Sequence, residues 1–449
     1  MIINDMLILF HNIFEFNKKG ERMQINNIDE KEIGKNHKIL ILLVFPLSIF
    51  MCGIFTWLFD AKINFNSIIF GLKNIISSPT TLYTDFLKVG GVSSSLINAS
   101  LIGFYNLYLL RKYKLRINGL LIAAFMTVIG FSFFGKNIFN IIPIYLGGFF
   151  YSKYQKIEYK DIILSVMFGT ALAPVISQIS FSGILPMHIS IPVGIIVGIF
   201  IGFVIVPLST HMLKFHEGYN IYNIGFTSGI LGTVLTSILR SINVDVESAN
   251  ILYTDKNYVL LLLLLFQFIF LIIIGILINK KCILSYKSIL KYKGRTVTDF
   301  TFLVGYGITF LNMGILGLLS LAFVIIAGGI INGPVLAAIF SIVGFGAFGK
   351  HIKNCFPVAL GVVIFALMFH SDFSSTNIII TVLFSTTLAP IAGSFGFFTG
   401  IIAGMLHFTL ATNINIIHGG LNLYNNGFAG GLVAGFLVPI IEAFKRGEK

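Results

Sequence analysis

The chain has 449 residues, of which 56% are apolar and only 11% charged, and its mean hydropathy is +0.91. Soluble globular domains are about 25% charged, and one water-surrounded core stops growing near roughly 250–300 residues, so a soluble fold is excluded and lipid must serve as solvent. A net charge of +13 would suggest nucleic acid in a soluble protein. Here the cations sit in short clusters between apolar runs, which points to membrane topology and no nucleic-acid partner.

Residues 1–38 are polar and mixed in charge, carrying Lys18, Lys19, Arg22, Asp29, Glu30 and Glu32, and are expected to form a cytoplasmic tail without a signal peptide. A membrane span needs about 20 apolar residues, and the clearest candidates are 39–59 and 258–278. Shorter, glycine-rich runs follow the first near 91–110, 117–134, 138–151, 162–177, 191–213 and 225–239. The second is followed by runs near 304–327, 332–347, 352–368, 377–393, 395–412 and 427–444. The expected fold is therefore an all-α integral membrane protein with about 14 transmembrane segments (12–14). Its loop cations alternate in position: Arg111 to Arg116, Lys153 to Lys160, Lys214, Lys280 to Arg295 and Lys445 to Lys449 all fall on one side. Asp245, Glu247, Asp255 and Asp372 fall on the other, which places both termini in the cytoplasm by the positive-inside rule.

The chain repeats itself. Residues 84–147 align without a gap with 298–361: Thr84-Asp85-Phe86 meets Thr298-Asp299-Phe300, and Ile117-Asn118-Gly119 meets Ile331-Asn332-Gly333. Phe134-Gly135-Lys136 meets Phe348-Gly349-Lys350, and Leu172-Ala173-Pro174 meets Leu388-Ala389-Pro390 after a small shift. The last match runs from His216 to Phe226 and from His418 to Phe428 in the shared pattern H-x-G-x-N-x-Y-N-x-G-F. The division expected is a tail over 1–38, repeat 1 over 39–256 and repeat 2 over 257–449. Seven spans per repeat is an odd number, so the two repeats should enter the bilayer in opposite senses, an arrangement common in secondary transporters.

Hydrocarbon leaves a polar side chain unpaired at a cost of several kcal/mol, so the polar motif needs a reason. One is a broken helix in each repeat, with Asn220, Tyr222, Asn223, Asn422, Tyr424 and Asn425 lining a substrate site between the repeats. The other is a packing seam in which the asparagines bind helices together. His216 and His418 are candidate polar or proton contacts, although the Glu217 beside the first is replaced by Gly419 beside the second. Lys136 and Lys350 are expected at opposite membrane faces, either snorkelling to headgroups or attracting an anion at each mouth. Asp85 and Asp299 are expected as helix caps, together with Thr84 and Thr298. The Leu-Ala-Pro segments should kink or end helices. Cys52, Cys282 and Cys355 are scattered, so neither a disulfide nor a metal site is expected, and no cofactor or catalytic motif is visible.

The paired histidine-to-phenylalanine pattern, with the FGK turn and the LAP segment, resembles a family of bacterial multi-spanning proteins defined only as a domain of unknown function. The resemblance runs from about residue 39 onward and implies an inner-membrane protein without assigning an activity. Gly420-Leu421, Tyr424-Asn425 and Gly431-Leu432 are also distantly similar to a segment of urea transporters, which have two inverted halves. That family's proline-flanked filter is not visible here, and no site is carried over from it. The function expected is a transporter or channel for a small polar or anionic solute, with lipid and the solute as partners and a homo-oligomer left open. A membrane-embedded enzyme, a lipid-handling protein and a sensor or scaffold stand as alternatives.

Overall fold

The structure is a computed structural model that describes residues 34–59, 64–183 and 185–447. The tail expected over 1–38 thus lies, up to residue 33, outside the described residues. A backbone in hydrocarbon must satisfy its own N–H and C=O groups, which a helix does within one segment. Among the described residues there are accordingly helices and three isolated β-bridges, and no strand.

The first half contains α1 (Lys35–Phe59), α2 (Phe65–Ser77), α3 (Phe86–Val89), α4 (Val92–Lys112), α5 (Gly119–Phe131) and α6 (Ile138–Tyr154). It continues with α7 (Tyr159–Gly169), α8 (Ala173–Phe181), α9 (Met187–His216) and α10 (Asn223–Ser241). The second half contains α11 (Tyr258–Ile278), α12 (Cys282–Ser285), α13 (Phe300–Leu303), α14 (Gly305–Ile326) and α15 (Gly333–Phe345). After these come α16 (Ile352–Met368), α17 (Thr376–Ser385), α18 (Ala389–Phe395), α19 (Phe397–Ala411) and α20 (Asn425–Gly447). Eight described segments are long and apolar enough to cross a bilayer: Asn36–Phe59, Tyr159–Phe181, Met187–His216, Asn223–Ser241, Tyr258–Ile278, Gly305–Ile326, Thr376–Phe395 and Asn425–Phe444. Shorter apolar helices accompany them, α5, α15, α16 and α19 among them. Phe200, Leu262 and Phe436 are each more than half exposed, as lipid-facing side chains would be. This is a polytopic helical membrane protein.

The internal repeat extends to the backbone. Left-handed φ angles recur at matched positions: Gly91 and Gly305, Lys114 and Gly328, Gly135 and Gly349, Lys156 and His370. Caps recur as well, with Asn118 starting α5 and Asn332 starting α15 by accepting from the N–H groups of Leu121 and Val335. Asn137 and His351 both build capping boxes, at the starts of α6 and α16. Packing follows the same plan. A Cβ on Gly147 would stand 2.0 Å from the Ile199 carbonyl oxygen, and one on the matched Gly361 would stand 2.1 Å from that of Ile401. Glycine there lets α6 and α9, and likewise α16 and α19, bring backbone against backbone, the closest approach two helices in lipid can make.

Each Leu-Ala-Pro segment interrupts a helix, as its proline requires. The turns Thr170–Leu172 and Thr386–Leu388 are tightened to 3-10 geometry, and Pro174 and Pro390 stand in the first turns of α8 and α18. These broken helices are the most enclosed of the long apolar segments. Around them the two halves exchange contacts.

Candidate functional site

The site begins where α9 must end. Glu217 has φ +50 and Gly218 φ +78, so the chain leaves the helix in left-handed conformation and bends through Tyr219, Asn220 and Ile221 to Tyr222 before α10 starts. Gly419 (φ +57) and Gly420 (φ +77) are left-handed at the matched place before α20, although there α19 has already ended at Ala411 and a 3-10 turn, Ile414–Ile416, intervenes. This geometry explains the unmatched pair at 217 and 419: both positions are left-handed, the conformation in which glycine is unstrained. Glu217 is therefore tied to a turn shared by both halves, and its carboxylate has no counterpart.

Each linking segment lies on the broken helix of the opposite half. The Ile221 N–H donates to the Thr387 carbonyl at 3.0 Å, and the Leu423 N–H donates to the Ala171 carbonyl at 3.0 Å. The motif asparagines hold this arrangement. Asn220 Nδ2 donates to the Gly427 carbonyl at 3.0 Å, and Asn422 Nδ2 to the Gly225 carbonyl at 3.4 Å, each crossing to the other half. Asn223 donates to the Ser209 carbonyl at 3.1 Å, and Asn425 to that of Ala411 at 2.9 Å. Because Nδ2 donates there, Oδ1 faces histidine: His216 Nε2 lies 3.1 Å from Asn223 and His418 Nε2 lies 2.9 Å from Asn425. Both rings then carry their proton on Nε2, leaving each Nδ1 buried without a partner among the described residues.

Lys136 and Lys350 do not reach the membrane faces. Both are fully buried, because Gly135 and Gly349 turn the chain inward after α5 and α15. Lys136 Nζ donates to the Tyr424 hydroxyl at 2.6 Å, and Lys350 Nζ donates to the Tyr222 hydroxyl and, at 2.7 Å, to Thr386 Oγ1. The snorkelling reading is thereby corrected: each ammonium finds its partner in the other half of the chain. Neither lysine forms an ion pair with a described carboxylate. Asp85 and Asp299 are occupied elsewhere. Asp85 accepts from the N–H groups of Leu87, Tyr253 and Gly333, and Asp299 from those of Thr301 and Gly119. Each caps its own short helix as expected and, beyond that, the start of α15 or α5 in the opposite half. Thr84 is no cap: its hydroxyl donates to the Thr81 carbonyl.

Between the halves lies a cavity of about 290 Å³. Matched residues face it in pairs: Thr127 and Ser341, Phe131 and Phe345, Phe168 and Phe384, Tyr222 and Tyr424. Asn223, Asn426 and Gly427 add the starts of α10 and α20 to the wall, and Thr210, Leu213 and Thr296 line it as well. Of the residues expected to contact a solute, Tyr222, Asn223 and Tyr424 line this cavity; Asn220, Asn422 and Asn425 stand behind it as its frame. The structure adds His407, whose Nε2 lies 3.0 Å from Oδ1 of the wall residue Asn426. A histidine within the apolar run 397–411 was the available signal.

The family comparison accords with the repeat. The chain matches the family described as a protein of unknown function (DUF1576) over residues 64–241 and again over 278–443. It belongs to that family. No curated protein and no solved structure matches it.

Proposed function

We propose that this protein is a transporter or channel that passes a small polar or anionic solute through the cavity between its two halves. The observation that carries the reading is the pairing of equivalent residues around one cavity. A packing seam needs no such space, yet here Tyr222 and Tyr424, Phe131 and Phe345, and Thr127 and Ser341 surround it from both halves. In this reading the halves, 39–256 and 257–449, contribute seven crossings each and insert with opposite senses, both termini facing the cytoplasm of a bacterial inner membrane. Reciprocal contacts support the two-fold relation. Lys136 reaches Tyr424 while Lys350 reaches Tyr222, as residues across a two-fold axis do.

The test is net uptake and counterflow into liposomes carrying purified protein, run against a panel of small neutral and anionic solutes. Transport of one panel member, lowered by Tyr222→Phe and by Tyr424→Phe, is the expected result. Transport indifferent to both substitutions would remove the cavity from the route, and the absence of both net uptake and counterflow with every member would remove the transport reading.

A further inference from the structure

We infer that the solute is a small organic anion, a carboxylate on an apolar body, with Lys136 and Lys350 supplying the counter-charge behind Tyr424 and Tyr222. This rests on the transport reading of the same cavity. Burying an ammonium is costly unless an opposite charge accompanies it. Two fully buried lysines without a described carboxylate partner can hold a full positive charge beside the cavity only when an anion joins them there. Asp85 and Asp299 do not serve as that anion, because their oxygens are taken up by backbone N–H groups. Among the described residues the cavity wall contains no acidic side chain.

The positive field reaches the cavity through groups that donate hydrogen bonds. A tyrosine oxygen that accepts from an ammonium keeps its own O–H to donate, and both tyrosines line the wall. The starts of α10 and α20 add the positive ends of 19- and 23-residue helices. Size and wall chemistry then separate an organic anion from an inorganic one. About 290 Å³ is roughly ten times the ~30 Å³ share of one liquid water, so a halide would leave most of the space to water against phenylalanine. An apolar body fills it, stacked among Phe131, Phe168, Phe345, Phe348 and Phe384. The lining residues Thr210 and Thr296 are flanked in sequence by Lys214 and Arg295, whose charges would favour anions nearby.

The two lysines should differ. Lys350 Nζ is shared between Tyr222 and Thr386, whereas Lys136 Nζ has Tyr424 as its one hydrogen-bond partner among the described residues. The test measures thermal stabilisation of detergent-purified protein, and counterflow in liposomes, with sodium benzoate, sodium butyrate, benzamide, sodium chloride and sodium sulfate. Benzoate and butyrate should stabilise and exchange, and benzamide should not. Lys136→Gln should weaken benzoate at least tenfold and Lys350→Gln less. Tyr424→Phe, which keeps the ring, should weaken it several-fold and guards against misfolding of the lysine variants. Equal effects of benzamide and benzoate, or binding of chloride or sulfate without the carboxylates, would overturn the anion assignment while leaving transport standing. Failure of both carboxylates overturns it too; the transport reading falls only if the wider panel also gives neither net uptake nor counterflow.

Discussion

Thr387 shows how single residues depart from the repeat. Its hydroxyl donates to Asn220 Oδ1 and accepts the Tyr222 N–H at 3.1 Å, while the position matched to it is Ala171, which has no hydroxyl. Asn422 therefore holds its segment without that support. Thr387→Ala should convert the Asn220 side to the Asn422 pattern and cost about 1 kcal/mol, the net worth of an ordinary hydrogen bond, read as a lowered denaturation midpoint in detergent. Asp85 should matter more, since its carboxylate serves three backbone N–H groups in two halves. Asp85→Ala leaves buried donors unpaired at about 1–3 kcal/mol, and Asp85→Asn, which retains one acceptor oxygen, should lose less. Equal midpoints for the two variants would show that the carboxylate does not bind these helix starts.

The elements explain which parts of the site can be read from sequence. Asn118, the left-handed glycines and the Asp85 carboxylate toward Leu87 act within a few residues of themselves, so these roles follow from local pattern, whereas the reach of Asp85 to Tyr253 and Gly333 does not. Lys136 does not: its partner Tyr424 is 288 positions away, and nothing near Lys136 distinguishes a lysine bound for the interior from one bound for headgroups. The motif itself was visible, but not the division of labour inside it, because tyrosines line the cavity and most of the asparagines frame it only once α10 and α20 have crossed. That crossing is tight. A Cβ on Gly225 would stand 3.0 Å from the Gly427 Cα, and one on Gly229 would stand 2.1 Å from the Phe428 ring. Gly229→Leu should push α10 and α20 apart at a cost of about 1–3 kcal/mol and lower both the midpoint and any transport, whereas Leu at the exposed Val234 should change neither.

At the scale of the whole molecule, composition and loop charge were enough to establish a many-pass membrane protein, and matched words revealed its duplication. The sense of insertion is a separate matter that exposed loops can decide. Lys156 and His370 occupy equivalent left-handed turns, after α6 and after α16, and both are exposed. Cysteines placed at these two positions should react with an impermeant thiol reagent from opposite sides of the membrane. Labelling of both from one side would make the repeats parallel.

The exchange of Asp85 and Asp299 has a bearing on synthesis. Helix α5 starts with an N–H that the Asp299 carboxylate receives, so a ribosome completes the whole first half before that acceptor exists. The newborn half must wait, incompletely closed, until its sibling emerges, and neither can reach its final form by itself. Two fragments made separately, 1–256 and 257–449, should each be cleared by proteolysis when expressed alone and should survive when expressed together.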